Sequence, residues 1–138
     1  MQPVTWSKDY SIENERLDDH HKLFFDLFKR LHDAVTDVNS TEDFNNILAD
    51  LGKYAATHFT YEEIHMLDIS YDHIKEHAAQ HAIFKAKIKE FNRIRNVVSR
   101  EPKLDLLDFL NKWMQGHIVG EDKKLAEWKQ TLGKTSTS

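Results

Sequence analysis

The stretch that decides the fold is residues 58–84, HFTYEEIHMLDISYDHIKEHAAQHAIF. It contains two pairs of metal-binding residue types four positions apart, His58 with Glu62 and His77 with His81. An α-helix turns by about 100° per residue, so residues four apart lie within about 40° of each other on one face. Each pair is therefore a two-ligand clamp on one helix. The stretch predicts two helices joined by a brief connection.

The rest of the chain carries the same helical spacing. Apolar residues recur at steps of three and four, and there are only four glycines and two prolines in 138 residues. The pattern predicts four helices of about 18 to 27 residues or somewhat less. The first carries Leu17 and ends near Asn39-Ser40, the second follows a possible N-cap at Ser40, the third begins between Ser70 and Ile74 and reaches Val98, and the fourth begins after Pro102.

Brief connections favour antiparallel neighbours, so the predicted fold is all-α, an up-down-up-down four-helix bundle with an irregular N-terminal arm. We expect Trp6 of the arm to pack on the bundle. The expected domain covers residues 1–133, and residues 134–138 are expected to form a loose tail.

The composition excludes several kinds of site and partner. The chain has no cysteine, which rules out disulfides, thiolate zinc sites and iron–sulfur clusters. Its net charge of −4 provides no basic surplus for nucleic acid or an anionic membrane. No apolar stretch approaches the roughly 20 residues of a membrane span, and the N-terminus does not resemble a secretory signal. We therefore expect a cytoplasmic protein that neither binds nucleic acid nor inserts into a membrane.

Polar residues occupy positions that the apolar spacing assigns to the bundle interior. A buried imidazole or carboxylate needs a partner. One histidine on an apolar face is more often a core residue bonded to a backbone carbonyl, but six polar residues would each need such a partner. A shared metal explains them together, although nitrogen and oxygen ligands suit zinc, manganese, cobalt and copper as well as iron. The six are His21, His58, Glu62, His77, His81 and His117.

Four motifs, in order along the chain, resemble those of the hemerythrin family. The resemblance extends from Trp6 to about Leu132, and it implies two iron ions joined by an oxo or hydroxo bridge that bind molecular oxygen reversibly without catalysis. The motifs are Asp18-Asp19-His20-His21-Lys22, His58-Phe59-Thr60-Tyr61-Glu62-Glu63 with Met66, His77-Ala-Ala-Gln-His81 with Phe84, and Trp113 with His117, Ile118 and Asp122.

The resemblance also implies a role for each residue of the site. One iron would be bound by His77, His81 and His117, the other by His21 and His58, with Glu62 and Asp122 bridging both. Oxygen would bind at an open position of the two-histidine iron, inside a dry apolar pocket. The residues expected to line this pocket, most of which must also be core residues, are Phe24, Phe59, Phe84, Trp113, Met114 and Ile118.

His20, His65 and Met114 depart from the family pattern, and two further histidines lie outside the motifs. His20 stands where the family usually has glutamine. It lies about 100° round the helix from His21, so it is expected to be an exposed neighbour rather than a ligand. His32 and His73 are expected at the surface, and His65 at the surface or a helix end. Met114 stands where the family usually has leucine, so it is expected to tune oxygen affinity and autoxidation.

The spacing of the last two implied ligands requires a distorted helix. His117 and Asp122 are five residues apart, which places them about 140° out of phase on an ideal α-helix. We expect an interruption or distortion between them, with the change of direction at Gly120 because glycine tolerates unusual backbone angles. The alternative is that Asp122 is a solvated carboxylate in a charged run.

Four functions remain open, because a fold does not fix a function. The favoured one is reversible oxygen binding for delivery or storage. The second is an oxygen or redox sensor that acts through a partner, and the third is a di-iron enzyme of the peroxidase or ferroxidase type. An enzyme would need spare acid or base groups or a substrate cavity beside the open position, and the sequence offers neither. The fourth is a zinc-stabilised structural bundle. No oxygen-consuming or signalling partner can be identified from the sequence.

Overall fold

The computed structural model describes residues 6–12, 14–37, 43–94 and 101–135, and these residues form helices and no strand. Counting the unbroken helical run from Glu101 as one helix, the predicted all-α four-helix bundle is confirmed. No helix in these ranges has the length and apolar content needed to cross a membrane. The elements are a 3-10 turn (Lys8–Tyr10), α1 (Glu15–Thr36), α2 (Phe44–Asp68), α3 (Ile74–Asn92), α4 (Glu101–Trp113), a π-helical segment (Met114–Glu121) and α5 (Asp122–Thr135).

Side-chain caps fix where the first two helices begin. Asn14 precedes α1, and its side chain accepts a hydrogen bond from the amide of Leu17 at 3.1 Å. Asp43 precedes α2 and accepts from the amide of Asn45 at 2.8 Å. Such caps satisfy amides that have no partner within the helix. The N-cap of α2 is thus Asp43 rather than Ser40, which lies outside the described residues.

A tight turn joins α2 to α3 and makes them antiparallel neighbours. Ser70 adopts a left-handed conformation with φ of 52°. The amide of Tyr71 donates to the carbonyl of Met66 at 2.9 Å, and the amide of Ser70 donates to the carbonyl of Leu67 at 3.1 Å. These two bonds form the Schellman motif that ends many helices. The turn lets the clamp of α2 face the clamp of α3.

The beginning of the fourth helix differs from its predicted position. α4 begins at Glu101, so Pro102 lies within its first turn rather than before it. Proline is tolerated there because the first amides of a helix lack helical partners in any case. The expected extension of the third helix to Val98 lies outside the described residues, and so do residues 136–138. The division into a domain and a loose tail stays a prediction.

The bundle core is dominated by aromatic and aliphatic side chains from every helix. Fully burying one such side chain contributes roughly 1.5–3 kcal/mol relative to leaving it exposed. All six residues expected to line an oxygen pocket belong to this core and are buried: Phe24, Phe59, Phe84, Trp113, Met114 and Ile118. Their burial is what both a dry pocket and an ordinary core require.

The N-terminal arm is tied to the bundle by the aspartate of the first motif. Buried Asp18 accepts hydrogen bonds from the Ser11 hydroxyl at 2.6 Å and from the Ile12 amide at 2.9 Å. Trp6 packs against the core as predicted. The ammonium of Lys22 lies 4.4 Å from the centroid of the Trp6 ring. Asp18 therefore holds the arm rather than contributing to the site.

Of the three histidines expected at a surface or helix end, one is buried. His32 is only 9% exposed, so its predicted surface position is wrong. His32 lies on the same face of α1 as the buried residues Phe25 and Phe28. The buried face of α1 is wider than the alternating spacing of its apolar residues indicates. His73 is exposed, and half-buried His65 lies in the last turn of α2, as predicted.

Candidate metal centre

Seven polar side chains meet at the centre of the bundle, and none is more than 2% exposed. All six polar residues that the sequence placed in the interior are therefore there, and Asp122 joins them. The alternative of a solvated Asp122 is wrong. The seven are His21 from α1, His58 and Glu62 from α2, His77 and His81 from α3, His117 from the π-helical segment and Asp122 from the start of α5.

Three histidines lie around one oxygen of Glu62, and two of them also contact one oxygen of Asp122. Oε1 of Glu62 lies 2.5 Å from Nε2 of His77 and 3.0 Å from Nε2 of His81. Oδ1 of Asp122 lies 2.9 Å from Nε2 of His77 and 3.2 Å from Nε2 of His117. We call this the three-histidine side of the site.

The other oxygen of each carboxylate faces the remaining two histidines. Oδ2 of Asp122 lies 2.9 Å from Nε2 of His21. Oε2 of Glu62 lies 3.5 Å from Nε2 of His58. We call this the two-histidine side. Glu62 and Asp122 thus each offer one oxygen to either side, which is the arrangement that a carboxylate bridging two cations needs.

The residues present fit a pair of metal ions. Glu62, His77, His81 and His117 form one group whose ligand atoms all lie within 4.8 Å of one another, and His21, His58, Glu62 and Asp122 form a second. Several of these donor atoms are buried and make no hydrogen bond in the described ranges, despite the short distances between them. They are Nε2 of His21, Nε2 of His58 and both oxygens of Asp122. Buried polar atoms need partners, and atoms that approach without bonding geometry point at a shared centre. Imidazole and carboxylate donors suit iron among the first-row metals.

The π-helical segment brings His117 and Asp122 to the same centre. The amide of Asp122 donates to the carbonyl of His117, five residues earlier, where an α-helix would bond four residues back. The predicted distortion is confirmed, but it is spread over Met114–Glu121 rather than placed at one bend. Gly120 supplies no unusual angle, since no described glycine has a positive φ. The expected change of direction at Gly120 is therefore wrong.

Comparison with known proteins agrees with this geometry. Residues 13–128 match the model of the hemerythrin HHE cation-binding domain. The chain belongs to the hemerythrin family. Hemerythrin-family proteins bind a di-iron centre, and the two donor groups of this chain could hold such a pair of ions. The resemblance inferred from the four motifs is confirmed.

Individual relatives align along most of their length. A bacteriohemerythrin of Clostridium acetobutylicum is 24% identical over 124 residues, which cover 86% of this chain and 95% of the relative. A bacteriohemerythrin of Methylococcus capsulatus is 27% identical over 124 residues, covering 89% and 94%. A myohemerythrin of Theromyzon tessulatum is 28% identical over 123 residues, covering 89% and 91%. This hemerythrin-family chain therefore matches nearly complete relatives.

Two ligand-type histidines have polar partners on the side facing away from the centre. Nδ1 of His117 donates to the amide oxygen of Gln80 at 2.6 Å, which leaves Nε2 free to face the site. Nδ1 of His58 lies 3.0 Å from Nδ1 of His20. His20 is half-buried, so its interpretation as an exposed neighbour is wrong, although it belongs to neither donor group. Neither partner was predicted from the sequence.

Aromatic rings lie flat against three of the imidazoles and restrict their rotation. Two of these rings were expected to line an oxygen pocket, and both cover the three-histidine side. Tyr54, which the sequence analysis did not single out, covers the two-histidine side. The pairs are Phe59 on His81 at 4.0 Å between centroids, Trp113 on His117 at 4.1 Å and Tyr54 on His58 at 5.1 Å.

Burial and the two carboxylates shift the pKa values of the site in opposite directions. Burial lowers the pKa of His58 to about 3, and the Glu62 carboxylate offsets only part of this effect. Burial also acts to lower the pKa of His77, but its contacts with Asp122 and Glu62 outweigh burial and raise it to about 10. Burial acts to raise the pKa of Asp122, yet His117 and the other imidazoles hold it well below its usual value. A metal entering this site must displace protons from imidazole.

Proposed function

We propose that this hemerythrin-family chain binds molecular oxygen reversibly at a di-iron centre and serves to deliver or store it. The observation that supports this function is the unequal distribution of donors around two shared carboxylates. One side offers three imidazoles and the other only two, while Glu62 and Asp122 contribute an oxygen to each. The two-histidine side thus has one donor fewer, and an external ligand would take that place.

The ligand assignment follows from this distribution. We propose that His77, His81 and His117 hold one iron and that His21 and His58 hold the other. Glu62 and Asp122 would each contribute an oxygen to both ions. When bound, the pair of iron ions supplies the electrons that oxygen accepts, one from each ion. The protein supplies position and charge through two carboxylates and five imidazoles, three of which are held by stacked aromatic rings.

The surroundings of the site exclude water. Reversible binding requires that no outside proton or reductant intervenes while oxygen is held. Aromatic and aliphatic side chains provide a dry lining, and all six are at most 8% exposed: Phe24, Phe59, Phe84, Trp113, Met114 and Ile118. We propose that this set forms the dry lining around both ions, with Phe59 and Trp113 covering the three-histidine side, and that oxygen is held on the two-histidine side.

In the part of the chain that the structure describes, the interior offers no spare carboxylate or imidazole for turnover. Besides the seven site residues, the buried carboxylates and imidazoles among the described residues are Asp18 and His32. Asp18 is engaged by Ser11 and Ile12 in the arm, and His32 lies on the same face of α1 as Phe25 and Phe28. General acid–base catalysis needs such a group within reach of the reacting atoms. This favours binding over catalysis.

An absorption spectrum tests the proposal directly. The protein is loaded with iron, reduced, exposed to air and then deoxygenated under inert gas, with metal content measured alongside. We expect two iron ions per chain and a charge-transfer band that appears with oxygen and disappears without it over repeated cycles. A single irreversible oxidation, or loading with zinc alone, would overturn the proposal.

A further inference from the structure

One buried polar group on the two-histidine side is neither a proposed ligand nor a partner of one. Tyr54 is 6% exposed, and its ring stacks on the imidazole of His58 with centroids 5.1 Å apart and planes inclined by 12°. Its hydroxyl is buried and has no hydrogen-bond partner in the described part of the chain. A buried hydroxyl without a partner is costly, so its retention calls for a physical explanation.

Aromatic neighbours fix the direction of this hydroxyl. The ring of Tyr54 lies 5.7 Å from that of Phe24, 6.0 Å from that of Phe59 and 6.3 Å from that of Phe84, measured between centroids. All three phenylalanines are fully buried and offer no acceptor atom. The ring cannot turn its hydroxyl to water without breaking this packing. The hydroxyl therefore stays in the interior, beside His58.

The charges of the site act on the same hydroxyl. Burial raises the pKa of Tyr54 well above its usual value, and the carboxylates of Asp122 and Glu62 raise it further. A neutral tyrosine hydroxyl is a hydrogen-bond donor. The stacking of the Tyr54 ring on His58 and the effect of both carboxylates on its hydroxyl place this donor on the two-histidine side of the site.

A route from the surface leads to the same place. A cavity of about 320 Å³ between α1 and α2 is lined by both Tyr54 and His58. Its other walls include His20, Leu23, Leu27 and Thr57. Arg30, Asp50 and Lys53 complete the lining, so the cavity presents charged as well as apolar groups to a small ligand. Such a ligand passing along this cavity would meet the Tyr54 ring and the His58 imidazole together.

We propose that Tyr54 is a specificity-determining residue, whose hydroxyl donates a hydrogen bond to the external ligand on the two-histidine side. This inference rests on the proposed function, because it requires a ligand to be held at that side. The ligands favoured are small molecules or anions with an exposed acceptor atom, of which azide is a convenient probe. Hydrogen bonds to an anion are stronger than those between neutral groups, so the anion gains most.

Tyr54→Phe tests the proposal because it removes only the hydroxyl. The iron-loaded, oxidised protein is titrated with azide and followed by absorption. We expect the iron content to be unchanged and the Kd for azide to rise about tenfold or more, the effect of losing one charge-assisted hydrogen bond. An azide affinity equal to that of the unaltered protein would overturn the proposal.

Tyr71→Phe is the matched control. The Tyr71 hydroxyl is also buried and without a partner among the described residues, but its ring lies edge-on to His77, on the three-histidine side, at 6.2 Å. Removing it makes the same chemical change on the other side of the site, so azide affinity should stay the same. An equal loss of affinity in both variants would overturn the proposal, because it would indicate a general effect of packing.

The metal-free protein gives a second readout. Without a ligand the Tyr54 hydroxyl is unpartnered, so Tyr54→Phe should leave the melting temperature unchanged or raise it. A lower melting temperature would assign the hydroxyl a structural role and overturn the proposal. The proposed function fails separately: if the iron-loaded protein binds azide but never binds oxygen reversibly, oxygen binding is overturned, while the azide comparison still decides the role of Tyr54.

Discussion

The amide of Asp122 is hydrogen-bonded to the carbonyl of His117, five residues before it, and Oδ1 of the same aspartate lies 3.2 Å from Nε2 of the same histidine. The backbone bond and the side-chain contact depend on each other. In an α-helix the two side chains would point about 140° apart, and only a wider turn lets both reach one centre. π-helical turns are rare and often occur at functional sites. The requirement of the site, rather than a helix-breaking residue, thus accounts for the distortion.

This explanation predicts that Gly120→Ala is tolerated. A Cβ at this position would lie 3.9 Å from the carbonyl oxygen of Gln115, an ordinary van der Waals contact. Replacing a helical glycine by alanine stabilises a protein by about 0.4–1 kcal/mol when the backbone needs no glycine. We expect an equal or higher free energy of unfolding and unchanged iron content. Loss of iron in this variant would show that the distortion does depend on glycine.

A second prediction separates the site from the rest of the buried histidines. His81→Ala should reduce the iron content to less than two ions per chain and lower the melting temperature of the iron-loaded protein, because the remaining buried donors lose their common partner. His32→Ala is the control, since His32 is also buried but lies outside both donor groups. It should destabilise the protein without removing iron. The reverse pattern would place the metal elsewhere.

Gln80 is predicted to strengthen metal binding without touching the metal. Its amide oxygen accepts from Nδ1 of His117 at 2.6 Å and so fixes which nitrogen faces the site. In other metal sites, loss of such a partner lowers the metal affinity roughly 10- to 100-fold. Gln80→Leu should therefore release iron to a competing chelator more readily. Gln115→Leu, at an exposed position of the π-helical segment, should behave like the unaltered protein.

Much of this site could be predicted because periodicity and chemistry are both local properties of the sequence. The apolar spacing placed His21, His58, His77, His81 and His117 in the interior, and all five are there. A polar residue on an apolar face is conspicuous whether or not the fold is known. The ligand-type residue that periodicity could not place, Asp122, came only from the family motif.

The features that were missed depend on how the helices pack against one another. His20 is off the buried face of its own helix, and only the packing of α1 against α2 brings it to His58. The position of Gln80 could have been predicted from the sequence, since it follows His77 by three residues and can lie on the same helix face. Tyr54 could also have been placed near His58, which follows it by four residues, but a tyrosine at such a position is usually an ordinary core residue. The tertiary contacts distinguish these cases.

The last prediction concerns the stability of the metal-free protein as the pH changes. The pKa of His77 is raised from 6.5 to about 10, so its contribution to stability is fully present below about pH 6.5 and is lost as the pH rises through 10. The pKa of His58 is lowered from 6.5 to about 3, so its contribution is fully present above about pH 6.5 and is lost as the pH falls towards 3. The free energy of unfolding therefore rises with pH below the ordinary histidine pKa, because of His58, and falls with pH above it, because of His77. We expect the free energy of unfolding to be largest near about pH 6.5 and smaller on both sides.

Urea unfolding with a chelator present, at about pH 5, 6.5 and 9, measures this curve. His77→Gln is the matched variant. It removes one of the two histidines whose raised pKa produces the alkaline slope, the other being His117, so its stability should change less between about pH 6.5 and 9. The iron-loaded protein should also change less over this interval, since metal binding already requires His77 without its proton. A metal-free protein that becomes steadily more stable from about pH 6.5 to 9 would contradict the prediction. That result would mean that Asp122 and Glu62 do not favour protonation of His77 and that the histidine is held in its neutral form.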